Sequence, residues 1–212
     1  MSMAPHLWSR NPVAVSQEFD NRHGAGTLPN SFSWAIWAAE GLDYLEKLDA
    51  GHRAGPVPPG GPHPDLLDIS HVRWATGNAI TAIDLCAATM GRLFCGPPGA
   101  KELSLRHFDP ACPPKYQAAV TARRASLPPE FLKWVDETLA DQRYIDLHGA
   151  RNPFTHAWLR RHLFDGVGGH ADRTQFEVLG TSHQMNARDM VVDSASLALD
   201  RVRAFVDVVD QY

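Results

Sequence analysis

From Ile69 onward, apolar or small residues recur at alternating steps of three and four, through Val72, Thr76, Ala79, Ile83, Cys86 and Met90 to Leu93. That spacing follows the 3.6-residue turn of an α-helix and gathers all of these residues on one stripe, so the segment opening at Asp65 is expected to be a long amphipathic helix, the longest in the chain. A stripe of that length has to be covered by other apolar surfaces. Two further stripes supply them. One runs through Trp34, Ala38, Gly41, Leu45 and Leu48, with Asn30 or Ser31 as its cap and Gly51 as its stop. The other closes the chain through Val191, Ser194, Ala198, Val202, Phe205, Val209 and Tyr212, starting at Asn186 or Asp189.

Between the stripes, Pro and Gly interrupt the chain. Residues 51 to 64 carry so many of both that no regular element is expected, since Pro lacks the N–H donor and Gly adds backbone entropy. Residues 95 to 129 are punctuated similarly, with room for a short helix from Tyr116 to Arg124. Glu130 to Leu147 has the helical period in Phe131, Val135, Leu139 and Tyr144, and Gly149 stands where a C-terminal cap belongs. Asn152 as N-cap and Pro153 at the first helical position then predict a fourth helix to Leu163. The period fails from Phe164 to Gln184, where Gln175 to Leu179 reads as a strand in a hairpin turning at Gly166 to Gly169. The expected fold is mostly α: a bundle of four to five helices with a small β-hairpin before the last helix. Residues 1–29 are expected as an irregular N-terminal arm, and 30–212 as one helical domain.

Composition narrows the function classes. Three cysteines without pair spacing argue against a disulfide framework, and no apolar run has the length of a signal peptide or membrane helix, so a cytoplasmic protein is expected. A net charge of −4 excludes a general polyanion binder. Contact with nucleic acid then depends on locally clustered arginines.

Such a cluster exists. Arg151-Asn152-Pro153-Phe154-Thr155-His156 is followed by Arg160 and Arg161, with no acidic residue between Arg151 and Leu163. Cleaving RNA without a metal needs a base for the ribose 2′-hydroxyl, a proton for the leaving oxygen and positive charge on the phosphate. His titrates near neutrality and Arg holds phosphate in a permanent charged fork, so this pair has the required chemistry. A helix starting at Pro153 would add exposed N–H groups and a positive dipole end, which favour an anion and make His156 less basic. On the second long helix, His71 and Asn78 lie seven apart on one face and are candidates to support the phosphate.

The Arg-Asn-x-x-x-His pattern of Arg151, Asn152 and His156, placed before a long closing helix, resembles the active-site motif of HEPN-type ribonucleases. The resemblance implies a metal-independent endoribonuclease that leaves a 2′,3′-cyclic phosphate, with Arg151 on the scissile phosphate, His156 moving the proton and Asn152 shaping the turn. It also implies a homodimer whose two motifs face each other, no cofactor, RNA as substrate, and a toxin or defence role with an antitoxin protein as partner. Some HEPN toxins carry a Tyr two positions after the His; this chain has Trp158 there.

Blander readings compete. Arg143-Tyr144-Ile145-Asp146-Leu147-His148 has the same Arg-to-His spacing, but lacks the Asn and contains an acid. A non-catalytic helical module for dimerisation or for partner or nucleotide binding would need neither motif. Trp34, Trp37, Trp74, Trp134 and Trp158 are expected in the core rather than stacked on bases. No metal site is expected: the histidines after residue 147 have no helical ligand spacing, and Cys95, His107 and Cys112 are too loosely spaced for a zinc knuckle. Pro97 to Lys101 has too few glycines for a phosphate loop.

Overall fold

The computed structural model describes residues 12–23, 28–49, 64–96, 103–156, 161–163, 174–177 and 184–212. They are mostly α. Seven α-helices occur among them: α1 (Pro12–His23), α2 (Leu28–Asp49), α3 (Pro64–Phe94), α4 (Gln117–Ser126), α5 (Pro129–Leu139), α6 (Gln142–His156) and α7 (Ala187–Gln211). Strands β1 (Arg161–Leu163), β2 (Thr174–Glu177) and β3 (Gln184–Asn186) form an antiparallel sheet in the order β1-β2-β3. The chain groups into two compact units, one of 1–36, 81–141 and 199–212, the other of 37–80 and 142–198.

The first unit is organised by rings. Phe131 on α5, fully buried, has its ring centroid 5.1 Å from Phe94, 5.8 Å from Phe205 and 5.4 Å from Tyr212. Trp134, one turn along, lies 5.0 Å from Phe205 and donates its indole N–H to the Arg201 carbonyl at 2.9 Å. These are the edge-to-face and tilted arrangements that the aromatic quadrupole favours. Helix α1 falls within the stretch expected as an irregular arm, and corrects that reading. Val15 and Phe19, one turn apart, are buried, and His23 meets the Tyr212 ring at 5.8 Å. So short and polar a helix has little stability of its own, and tertiary burial holds it.

A second correction concerns residues 130 to 147, expected as one helix and found as α5 and α6 with a break at Ala140-Asp141. The Asp141 N–H reaches back to the Thr138 carbonyl at 3.3 Å, a tighter turn than the α-helix makes. Its carboxylate takes two hydrogen bonds from Arg201, at 2.7 and 3.1 Å, and Glu137 lies 3.8 Å from the same guanidinium. Arg201 is 60 positions away in sequence, so the local period holds no trace of it.

Also in this unit, Cys86 on α3 is fully buried. Burial pushes its thiol up to about 12, against an opposing hydrogen bond with Ser31, so the sulfur is held protonated and is no nucleophile.

In the second unit α2, α3 and α7 meet closely. A Cβ added at Gly41 would lie 2.8 Å from Val191 Cγ1 and 3.3 Å from the Ala75 Cβ, so the absent side chain sets how near the helices come. Thr76 and Ser194 share a buried hydroxyl contact of 3.4 Å, and Arg143 on α6 donates to Ser196 on α7 at 3.1 Å. At the start of α7, Asn186 Oδ1 accepts the Asp189 N–H at 2.7 Å while its amide donates to the Asp189 carboxylate at 2.7 Å. This reciprocal cap is the start expected from the sequence.

The two helix glycines of this unit should respond oppositely to alanine. Gly41→Ala drives a methyl into stiff, β-branched Val191 and is expected to destabilise by about 1–3 kcal/mol. Gly77→Ala, with nothing within 4 Å of the new Cβ, should stabilise by up to about 1 kcal/mol through helix propensity. Urea denaturation of the two variants checks both signs; equal shifts would mean that no close approach exists at Gly41.

Candidate functional site

Helix α6 carries the candidate motif, and its position corrects the expected local structure. The helix does not stop at Gly149 and restart at Asn152-Pro153; it continues from Gln142 to His156. Tyr144, Leu147 and Ala150 are buried along it, and Arg143 is bonded to α7, so one packed face runs across Gly149 and holds the helix together through the stop signals. Pro153 has no N–H for the Gly149 carbonyl, and α6 passes that turn with one backbone bond fewer.

Helix α6 runs to His156, and β1 begins at Arg161. Arg161 is thus a strand residue and not part of a helix to Leu163. The motif occupies the last turns of α6, where the helix dipole is negative and attracts cations, and the N-terminal dipole expected to favour an anion and weaken the basicity of His156 does not arise there. Along a continuous helix Asn152 and His156 are one turn apart on one face, while Arg151 and His156 stand about 140° apart around the axis. The side chains of Arg151, Asn152 and His156 lie outside the described residues, as do Arg160 and Trp158 entirely.

The competing Arg-to-His pair lies within the described residues. Arg143 is half-buried and spends a guanidinium N–H on Ser196 Oγ at 3.1 Å, and the His148 ring lies 5.6 Å from that of buried Tyr144. These contacts give it a packing role. The equal spacing of the two pairs conceals this difference, because the partner, Ser196, is 53 positions away.

His71 and Asn78 both stand on α3 within the unit that contains α6. His71 is half-buried, whereas Asn78 is 2% exposed and its Nδ2 has no hydrogen-bond partner among the described residues. Leaving a buried amide donor unpaired costs about 1–3 kcal/mol, so this polar residue is not explained by packing.

Comparison with protein-family models, with curated proteins and with solved structures finds no match to this chain. The site therefore rests on its own chemistry.

Elsewhere, among the described residues, no group of three or more His, Cys, Asp or Glu side chains is placed to hold a metal ion. His107 accepts the Ser104 N–H at its Nδ1 at 3.0 Å, which caps the short 3₁₀ turn Leu105–Phe108, and Cys95 Sγ lies 3.3 Å from Ser126 Oγ. No described helix is long and apolar enough to cross a membrane.

The tryptophans divide. Trp134 is core, as expected, but Trp37 and Trp74 are 37% and 51% exposed and lie 6.3 Å apart, centroid to centroid. Their helical spacing had placed both in the core. Only the packing of α2 beside α3 shows which indoles remain at the surface.

Proposed function

We propose that the chain is a metal-independent endoribonuclease of the HEPN type, working in the cytoplasm. The observation that carries this reading is the Arg151-Asn152-x-x-x-His156 pattern on α6, separated by a short sheet from the closing helix α7. In the proposed reaction His156 takes the proton of a ribose 2′-hydroxyl, the freed oxygen bonds to the adjacent phosphorus, and the bond from phosphorus to the 5′-oxygen breaks. A proton returns to that leaving oxygen, and a 2′,3′-cyclic phosphate remains. Arg151 offsets the charge gathering on the phosphate, and Asn152, one turn before His156, bonds a phosphate oxygen. Arg160 and Arg161 draw RNA toward the helix end, and His71 and Asn78 supply supporting contacts. A homodimer pairs two motifs, so that one copy's His supplies the proton which the other's chemistry consumes. A toxin or defence role, with an antitoxin protein as partner, fits such an activity.

The test is incubation of RNA with purified protein in excess EDTA. Cleavage leaving 2′,3′-cyclic ends is expected; loss of cleavage on chelation, or no cleavage of any RNA, would overturn the reading. The placement of the motif at a helix C-terminus favours a second reading, a non-catalytic helical module in which Arg151 serves the free carbonyls of α6. That module would bind a partner or dimerise, and would leave RNA intact.

A further inference from the structure

The strongest unassigned surface lies on α2 and α3, in the unit that also contains α6. Trp37 and Trp74 lie side by side with rings inclined at 38°, and each keeps more than a third of its surface in water. Two adjacent exposed indoles are unusual on a surface, where single apolar residues are the rule. Arg73, next to Trp74, is exposed, and no hydrogen bond or ion pair to it is found among the described residues. Gly77, one turn further along α3, has nothing within 4 Å of where its Cβ would be.

We propose that Trp37 and Trp74, with Arg73, form a platform for single-stranded RNA, on which bases stack and Arg73 meets a phosphate. Flat π-faces accept any base, and an exposed guanidinium can pair with an anion. The charges give the strand a direction. Glu40, exposed one turn after Trp37 on α2, repels phosphate, so the RNA backbone runs on the α3 side, where Arg73 stands. An apolar protein partner would be complementary to the rings but would leave Arg73 beside an uncharged surface. The proposal rests on the ribonuclease reading for its choice of RNA, and extends it by naming a contact away from the cleavage motif.

The test uses the full chain silenced by His156→Ala, so that binding is read without cleavage. Anisotropy of a labelled single-stranded oligouridylate is followed with Trp37→Ala, Trp74→Ala, both together, and Arg73→Ala. About tenfold weaker binding is expected for each indole lost, and Trp74→Phe should recover part of it. Arg73→Ala should flatten the dependence of log K on log salt by about 0.7, one phosphate contact to a single strand. Circular dichroism identifies any variant that has lost its fold, for which Trp74→Phe is the replacement test. No binding by the parent, or unchanged binding by the double variant, overturns the platform. So does a parental dimer that the indole variants dissociate in sedimentation, since the face would then be a self-interface. Trp-dependent RNA binding by a native chain that cuts no RNA would retain the platform and reject the ribonuclease.

Discussion

Replacing His156 by alanine is expected to slow RNA cleavage by about 10²- to 10⁴-fold, the usual contribution of a positioned acid or base. His148→Ala, on the same helix, should leave the rate unchanged. The contrast tests which of two Arg-to-His pairs acts, because both lie on α6 with equal spacing. Arg143 is engaged by Ser196, and His148 by the Tyr144 ring. Arg151→Ala should cost as much as the His156 change, since the phosphate would lose its charged partner as negative charge develops. Single-turnover cleavage of one RNA by proteins of equal helicity is the measurement. A rate lost with His148 and kept without His156 would move the chemistry to the other pair; a rate that survives both changes would remove it from α6.

The largest loss of stability is expected from Phe131→Ala. The ring is fully buried and meets three other aromatic rings, on α3, α7 and the residue just after α7. Removing it forfeits the transfer energy of a phenyl group and leaves a cavity between stiff rings that collapse poorly, about 3–5 kcal/mol together. For a chain of this size that lowers Tm by about 6–20 °C. Tyr116→Ala, at a position 50% exposed, should change stability by no more than about 0.5 kcal/mol. Thermal and urea unfolding of the two variants measure the difference. A Phe131 variant as stable as the Tyr116 one would show that the cluster is not central to the core.

The long helices were legible because burial and period coincide. Val72, Thr76, Ala79, Ile83, Cys86 and Met90 are all buried on α3, and Val191, Ser194, Ala198, Val202, Phe205 and Val209 on α7. Each stripe is a local record of where the core lies, and the Asn186 cap needs only residues three apart. The short strand expected from Gln175 is found as β2, which the structure pairs on both edges.

Tertiary structure decided what neighbouring residues could not. Gly149 and Asn152-Pro153 are local stop and start signals, yet burial of Leu147 and Ala150 and the bond from Arg143 to Ser196 carry α6 through them. The break at Ala140-Asp141 has no local signal and coincides with bonds to distant Arg201. Local preferences are worth tenths of a kcal/mol to about one, and burial of several side chains exceeds that. For the candidate site, the sequence by itself determined the chemistry available: an arginine, an asparagine and a histidine close together, with no acid among them. The fold decided that they sit at the end of a helix rather than its start, reversing the sign of the backbone field around them. It also decided which tryptophans face water, because exposure depends on which helices meet and the period of a single helix does not contain that.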